Sequence, residues 1–216
     1  MKRIFIVRHG KTAWNRAQRL QGAGADSPII TDDITPYGQL ATYLDQYEFA
    51  AVYTSPLKRS VDSARLTLAM TAARGLPLQA DEHLRELSFG QWEGRTRSEL
   101  LAENAPLFRA LSQRRDTPEL AALGMENFAS ARQRFVVGLR SIAACLPADG
   151  NALVFTHGGI GQLGIKAATG NEDLLGLKNL STSIVAVQGD DFYLDVYNQT
   201  AYLTSVDLNE GNVSIL

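Results

Sequence analysis

Apolar positions along this chain gather into short continuous runs, separated by stretches in which they recur at helical spacing. Ile4-Phe5-Ile6-Val7 is such a run, rich in β-branched and aromatic residues, and it predicts a strand covered on both faces. Val52-Tyr53-Thr54, Ala152-Leu153-Val154-Phe155 and Ile184-Val185-Ala186-Val187 read the same way. Thr35-Pro36 predicts the start of a helix through Leu40 and Leu44. Ser55-Pro56 predicts another, with proline in its favoured first turn and with Val61, Leu66 and Leu68 as apolar positions. A long helix is predicted from Glu126 to Cys145, with Phe128, Phe135, Val136 and Leu139 along one side.

Strands alternating with helices predict an α/β layer fold around a largely parallel sheet. Ile184–Gln188 and Phe192–Tyr197 flank Gly189-Asp190-Asp191, which predicts an antiparallel hairpin at one edge. No repeat, low-complexity tract or linker divides the chain, so a single domain over residues 1–216 is expected. Residues 95–125 are polar and helix-prone, and are expected to form a helical insertion over one end of the sheet.

Composition changes this picture little. With 45% hydrophobic and 20% charged residues among 216, the chain can bury a substantial core. A formal charge of −2 gives no reason to expect nucleic acid as a partner, although local arginines can still select a small anion. Cys145 is the single cysteine, which fits a reducing compartment, and in SIAACLP it reads as core filler. Lys2 and Arg3 before an apolar run imitate the start of a signal peptide, but Arg8 and His9 close that run too early. No stretch approaches the ~20 apolar residues of a membrane span. A cytoplasmic protein of unspecified oligomeric state is expected.

Ligands of such folds sit beyond the carboxyl ends of the strands. Three groups fall there: Arg8-His9-Gly10, Ser55-Pro56-Leu57-Lys58-Arg59 and Thr156-His157-Gly158-Gly159. Phosphoryl chemistry has a use for each. Guanidinium forks of Arg8 and Arg59 suit phosphate oxygens bidentately, and His157 adds a further donor. His9 beside those cations would keep its lone pair free for attack on phosphorus. Glu86, after a short strand near Leu78, is the best-placed carboxyl to supply a proton to the leaving oxygen.

The chain resembles the histidine phosphatase family, whose superfamily includes the cofactor-dependent phosphoglycerate mutases. The matching segments are VRHGKTAWN (7–15), DSP (26–28), SPLKRSVDSA (55–64), LRELSFGQWEG (84–94), THGG (156–159) and NLSTSIVAV (179–187), in family order. The resemblance implies a phosphoglycerate mutase-like α/β/α fold, with a mostly parallel, mixed six-stranded sheet and helices on both faces. It implies His9 as the phosphorylated nucleophile, Glu86 as proton donor, and Arg8, Arg59 and His157 as the phosphate pocket. Thr12 and Asn15 match positions that contact the phosphoryl group or substrate. The implied catalysis needs no metal and no cofactor. Two departures, Lys11 where many members carry Glu, and the longer turn IITDDITPY with Asp32 and Asp33, bear on substrate choice.

Hydrolysis and mutase chemistry are separated by the resemblance. Mutases carry an Arg-His-Tyr-Gly-like continuation after the acid and a long lid before the second histidine. Here Glu86 precedes Leu87-Ser88-Phe89-Gly90, and the segment to His157 is shorter, so a phosphomonoesterase acting on a small phosphorylated metabolite is expected, with the mutase as alternative. Gly159-x-Gly161-x-x-Gly164 matches a dinucleotide fingerprint, yet too little chain follows it for a complete dinucleotide-binding domain. Gly10-Lys11-Thr12 resembles a P-loop end but lacks its earlier glycine, because Phe5 stands there. An inactive binding protein is the reading from another class; it is disfavoured because every required residue type is present. Arg97, Arg109, Arg114 and Arg115 are candidates for a second anionic group, or else a solvated helix face.

Overall fold

A computed structural model of the chain describes residues 1–207; the last residues of the expected 1–216 unit lie outside the described part. The elements in chain order are β1 (Lys2–Arg8), α1 (Ala13–Arg16), α2 (Thr35–Leu44), β2 (Ala51–Thr54), α3 (Lys58–Leu68), β3 (Leu78–Ala80), α4 (Arg97–Ser112), α5 (Pro118–Ala122), α6 (Phe128–Cys145), β4 (Asn151–Thr156), α7 (Gly158–Thr169), β5 (Thr182–Gln188) and β6 (Asp191–Gln199). The strands form one six-stranded sheet in the order β3-β2-β4-β1-β5-β6. β1 pairs parallel with β4 and antiparallel with β5, and β5 and β6 form the edge hairpin.

Alternation along β1 explains why its apolar run is continuous. Ile4 and Ile6 join Val154 and Val185 in one buried cluster, together with Phe135 and Leu139 of α6 and Leu163 of α7. Phe5 and Val7 point the other way, into a second cluster with Leu153, Phe155, Leu40 and Leu44 of α2 and Ala64 of α3. Successive side chains of a strand face opposite sides, so a strand between two helical layers needs apolar residues at every position. The sheet is therefore the middle layer of three.

The segment 95–125 supplies α4 and α5. Leu100, Phe108, Leu111 and Leu120 bury themselves in the same cluster as Ile4 and Trp92. Thr96 and Glu99 form a capping box at the start of α4. Its helical path breaks at Asn104, just before Pro106, and Asn104 Oδ1 accepts the Leu107 N–H to start the second half.

Two expectations need correction. α3 begins at Lys58, with Leu57 extended at its cap, so Pro56 lies outside the helix. Its buried face is Arg59, Ser60, Ser63, Ala64, Thr67 and Leu68, whereas Val61 and Leu66 are only partly covered. Arg59, Ser60 and Ser63 turn inward onto polar partners, whereas the Thr67 hydroxyl is buried without one. Cys145 is exposed. α6 ends at that residue, and the extended Leu146 takes the inward position instead.

Candidate active site

Three chain crossings bring the site together at the carboxyl ends of β1, β2 and β4. Beyond β1 the His9 N–H donates to Thr156 O at 2.9 Å, so the residue continues the pairing with β4. Gly10 N–H donates to Ser63 Oγ at 2.9 Å, which ties the turn to α3. Asn179 Nδ2 donates to His9 O at 2.8 Å from the approach to β5. The backbone of His9 is thus held from three directions.

His9 is 3% exposed, and its Nδ1 lies 2.8 Å from Gly10 O. A carbonyl oxygen can only accept, so Nδ1 carries the ring proton and Nε2 keeps its lone pair. Burial holds the His9 pKa well below its ordinary value, and the positive charges of Arg59 and Arg8 add to that effect. His157 is fully buried with its ring centre 5.2 Å from that of His9. Its pKa is also lowered, first by burial and then by Arg59, His9, Arg8 and Arg134.

Arg59 is 1% exposed. Its Nη1 donates to Asp26 Oδ1 at 2.9 Å and its Nη2 to Gly22 O at 3.0 Å, while Nε is buried with no hydrogen-bond partner. Arg8 Nη1 donates to Leu177 O at 2.6 Å. Glu86, 6% exposed, is fixed by main chain on both oxygens: Oε1 accepts from Leu87 and Ile160, and Oε2 from Gly159. Two of those three donors are in the first turn of α7, whose dipole favours a negative group.

A cavity of about 20 Å³ opens among these groups, lined by Arg8, His9, Asn15, Arg19, Gln21, Glu86, Phe89 and Gly158. Asn15 lines it, and Thr12 does not. Thr12 is fully buried, caps α1, and donates from Oγ1 to Gln21 Oε1 at 2.9 Å. That bond orients Gln21, whose Nε2 is buried with no partner. Sequence reasoning passed over Gln21, Ser55 and Asn179. Ser55 and Asn179 stand inside family-like segments, but spacing alone does not reveal what a polar side chain reaches.

Neither departure from the family pattern lines the cavity. Lys11 pairs with Asp207, Asp32 lies 3.9 Å from Arg16 Nη2, and Asp33 Oδ1 accepts the Thr35 N–H before α2. Of the four insertion arginines, Arg109 and Arg115 are exposed and Arg97 is partly covered. The guanidinium of Arg114 lies over Phe89 and Phe128, at 6.0 and 5.8 Å from the ring centres. Its stem is partly exposed but the head is buried, and this burial pushes its pKa down to about 10, with Glu86 opposing the shift.

The glycines that imitate a dinucleotide fingerprint have a packing role. A Cβ on Gly159 would stand 2.7 Å from Glu86 Oε1, one on Gly161 2.9 Å from Leu177, and one on Gly164 2.0 Å from Phe135. They let α7 approach the acid, the loop before β5, and α6. Among the described residues, no group of three or more His, Cys, Asp or Glu side chains gathers as a metal site would. No described helix is long and apolar enough to cross a membrane.

Known structures share this architecture. Phosphoglycerate mutase from Bacillus anthracis superposes with a TM-score of 0.80, covering 93% of this chain and 94% of that one, and at 24% identity the likeness is one of fold. Mycobacterial glucosyl-3-phosphoglycerate phosphatase, in its complex with VO3, superposes with a TM-score of 0.80 at 26% identity, covering 93% of this chain and all of that one. In sequence, the metal-independent phosphoserine phosphatase of Arabidopsis thaliana is 28% identical over 94% of this chain and 84% of its own length. Fold and relatives define the class: an α/β phosphatase of the phosphoglycerate mutase-like type. Within it, the chain belongs to the histidine phosphatase superfamily, branch 1, whose pattern matches residues 4–200.

Proposed function

We propose that this enzyme hydrolyses phosphomonoesters of small metabolites through a phosphohistidine on His9, without a metal. The observation that carries the reading is the pairing of His9 Nδ1 with Gly10 O, which commits the Nε2 lone pair to chemistry in the cavity that Arg8 and Glu86 also line. Nε2 attacks phosphorus, the ester P–O bond breaks, and the leaving oxygen takes a proton from Glu86. Water then gives a proton back to the carboxylate and attacks the same phosphorus, breaking the P–N bond and releasing orthophosphate. Oε1 of Glu86 already accepts two N–H bonds and Oε2 only one, so Oε2 is the oxygen with room for the travelling proton. Arg8, Arg59 and His157 surround His9 with donors for the equatorial oxygens, and the partnerless Nε of Arg59 and Nδ1 of His157 are available to them.

Two relatives bear names that fit a small phosphorylated metabolite, phosphoserine in one case and glucosyl-3-phosphoglycerate in the other. The residues after Glu86, Leu87-Ser88-Phe89-Gly90, favour hydrolysis over transfer between hydroxyls. The test is incubation with 4-nitrophenyl phosphate in excess chelator. Release of nitrophenol and phosphate, with a labelled histidine trapped on quenching, is expected. His9→Ala should lose both; a His9→Ala variant that still turns over sinks the mechanism. Movement of a phosphoryl group between hydroxyls of phosphoglycerate without free phosphate would make the enzyme a mutase instead.

A further inference from the structure

His157 can attract or repel an anion, depending on which ring nitrogen carries its proton. Its Nε2 lies 2.7 Å from Ser55 Oγ, and its Nδ1 is buried without a hydrogen-bond partner. Ser55 is itself fully buried, and its Oγ accepts the Leu57 N–H at 3.3 Å. Among the described residues no other acceptor is in reach of the Ser55 hydroxyl hydrogen. If Nε2 held the proton, that hydrogen would be stranded and Nδ1 would present a bare lone pair beside His9. With the serine donating, the hydroxyl hydrogen is placed, and the one hydrogen left without a protein partner is an N–H on Nδ1, free for a bound anion.

The serine has little freedom to do otherwise. Its N–H donates to Phe155 O at 2.9 Å, which extends the β2–β4 pairing past the end of β2. Thr54 Oγ1 donates to Ser55 O at 3.0 Å, and Ser60 Oγ lies 3.0 Å from Thr54 Oγ1. Because the threonine hydrogen is used on the carbonyl, Ser60 is the donor of that pair.

We propose that Ser55 is a positioning residue that fixes His157 as the Nδ1–H tautomer, so that a neutral histidine offers the phosphoryl group an N–H donor. The lowered His157 pKa agrees with this, since an imidazolium would need no such selection. The inference rests on the phosphatase reading only for the identity of the anion.

The chain has three histidines, so nitrogen-15 NMR of the ligand-free enzyme can resolve each ring, with His157→Asn giving the assignment. A proton on Nδ1 of His157 and an unprotonated Nε2 are expected, and added inorganic phosphate should shift the Nδ1–H signal. Ser55→Ala should allow the Nε2–H form to appear and lower kcat/KM on 4-nitrophenyl phosphate by about tenfold to a hundredfold. Ser55→Thr, which keeps the hydroxyl, should restore the wild-type tautomer. An Nε2 proton on His157 in the wild type overturns the proposal without any variant, as does an unchanged tautomer in Ser55→Ala. An Nδ1–H signal that ignores phosphate, in a protein that cleaves no phosphomonoester, would instead overturn the phosphatase reading and leave the Ser55–His157 arrangement standing.

Discussion

A histidine that must attack phosphorus has to remain unprotonated among cations. Burial, Arg59 and Arg8 all push His9 in that direction, with only the Gly10 carbonyl opposing them. The acid limb of kcat/KM should therefore lie below about pH 6.5, the ordinary histidine value, and activity should persist where a solvated imidazole is already protonated. A limb at or above 6.5 in the pH–rate profile would contradict this. Arg59→Ala and His157→Ala should each lower kcat/KM by about 10²-fold or more, as loss of a preorganised donor does. Glu86→Gln should slow alkyl esters far more than activated aryl esters, and steady-state rates on one pair of substrates decide it. At this scale residue type and the family resemblance singled out Arg8, His9, Arg59, Glu86 and His157, and the fold brings them to one end of the sheet. Gln21 and Ser55 stayed hidden because their roles come from hydrogen bonds across the fold, to Thr12 and His157.

Elements carry a different lesson. Periodicity found α2 and α6 because their buried faces are mostly apolar, but it misread α3, whose inward face bears Arg59, Ser60, Ser63 and Thr67. A helix that serves a site buries polar groups with their partners, and a hydrophobic pattern cannot report that. Arg134 on α6 shows how far elements are tied to the site. It forms a two-point ion pair with Glu126 and donates from Nη1 to the carbonyls of His83 and Arg85 at 2.9 Å, bracing the loop that presents Glu86. Close packing of α7 on α6 gives a stability prediction. Gly164→Ala would press a methyl into the Phe135 ring and should destabilise by about 1–3 kcal/mol, read as a lowered urea midpoint. An unchanged midpoint would mean that Phe135 yields freely.

For the whole molecule, the buried histidines link folding to pH. In the folded enzyme His9 and His157 titrate below the unfolded value of about 6.5, so below that pH the unfolded chain binds more protons. Their contribution is nil above 6.5. As pH falls stability is lost, by at most about 1.4 kcal/mol per pH unit per histidine, until the folded values are passed. Urea midpoints between pH 7.5 and 5 should fall more steeply for the wild type than for a variant with both histidines replaced by asparagine. The layered α/β fold and the edge hairpin were visible in the spacing of apolar runs, whereas the strand order β3-β2-β4-β1-β5-β6 was not, since local pattern carries no record of which distant strands pair.

That order has a consequence for how the enzyme comes into being. Ile4 sits opposite Ala152 on one side and Val185 on the other, so among the described residues β1 is paired by strands synthesised long after it. Contacts of such sequence separation close late and slowly, because the loop between them must be ordered first. A nascent chain therefore carries His9 before the strands that pair with its own have been made, and the groups that surround it gather only once β4 and β5 have emerged.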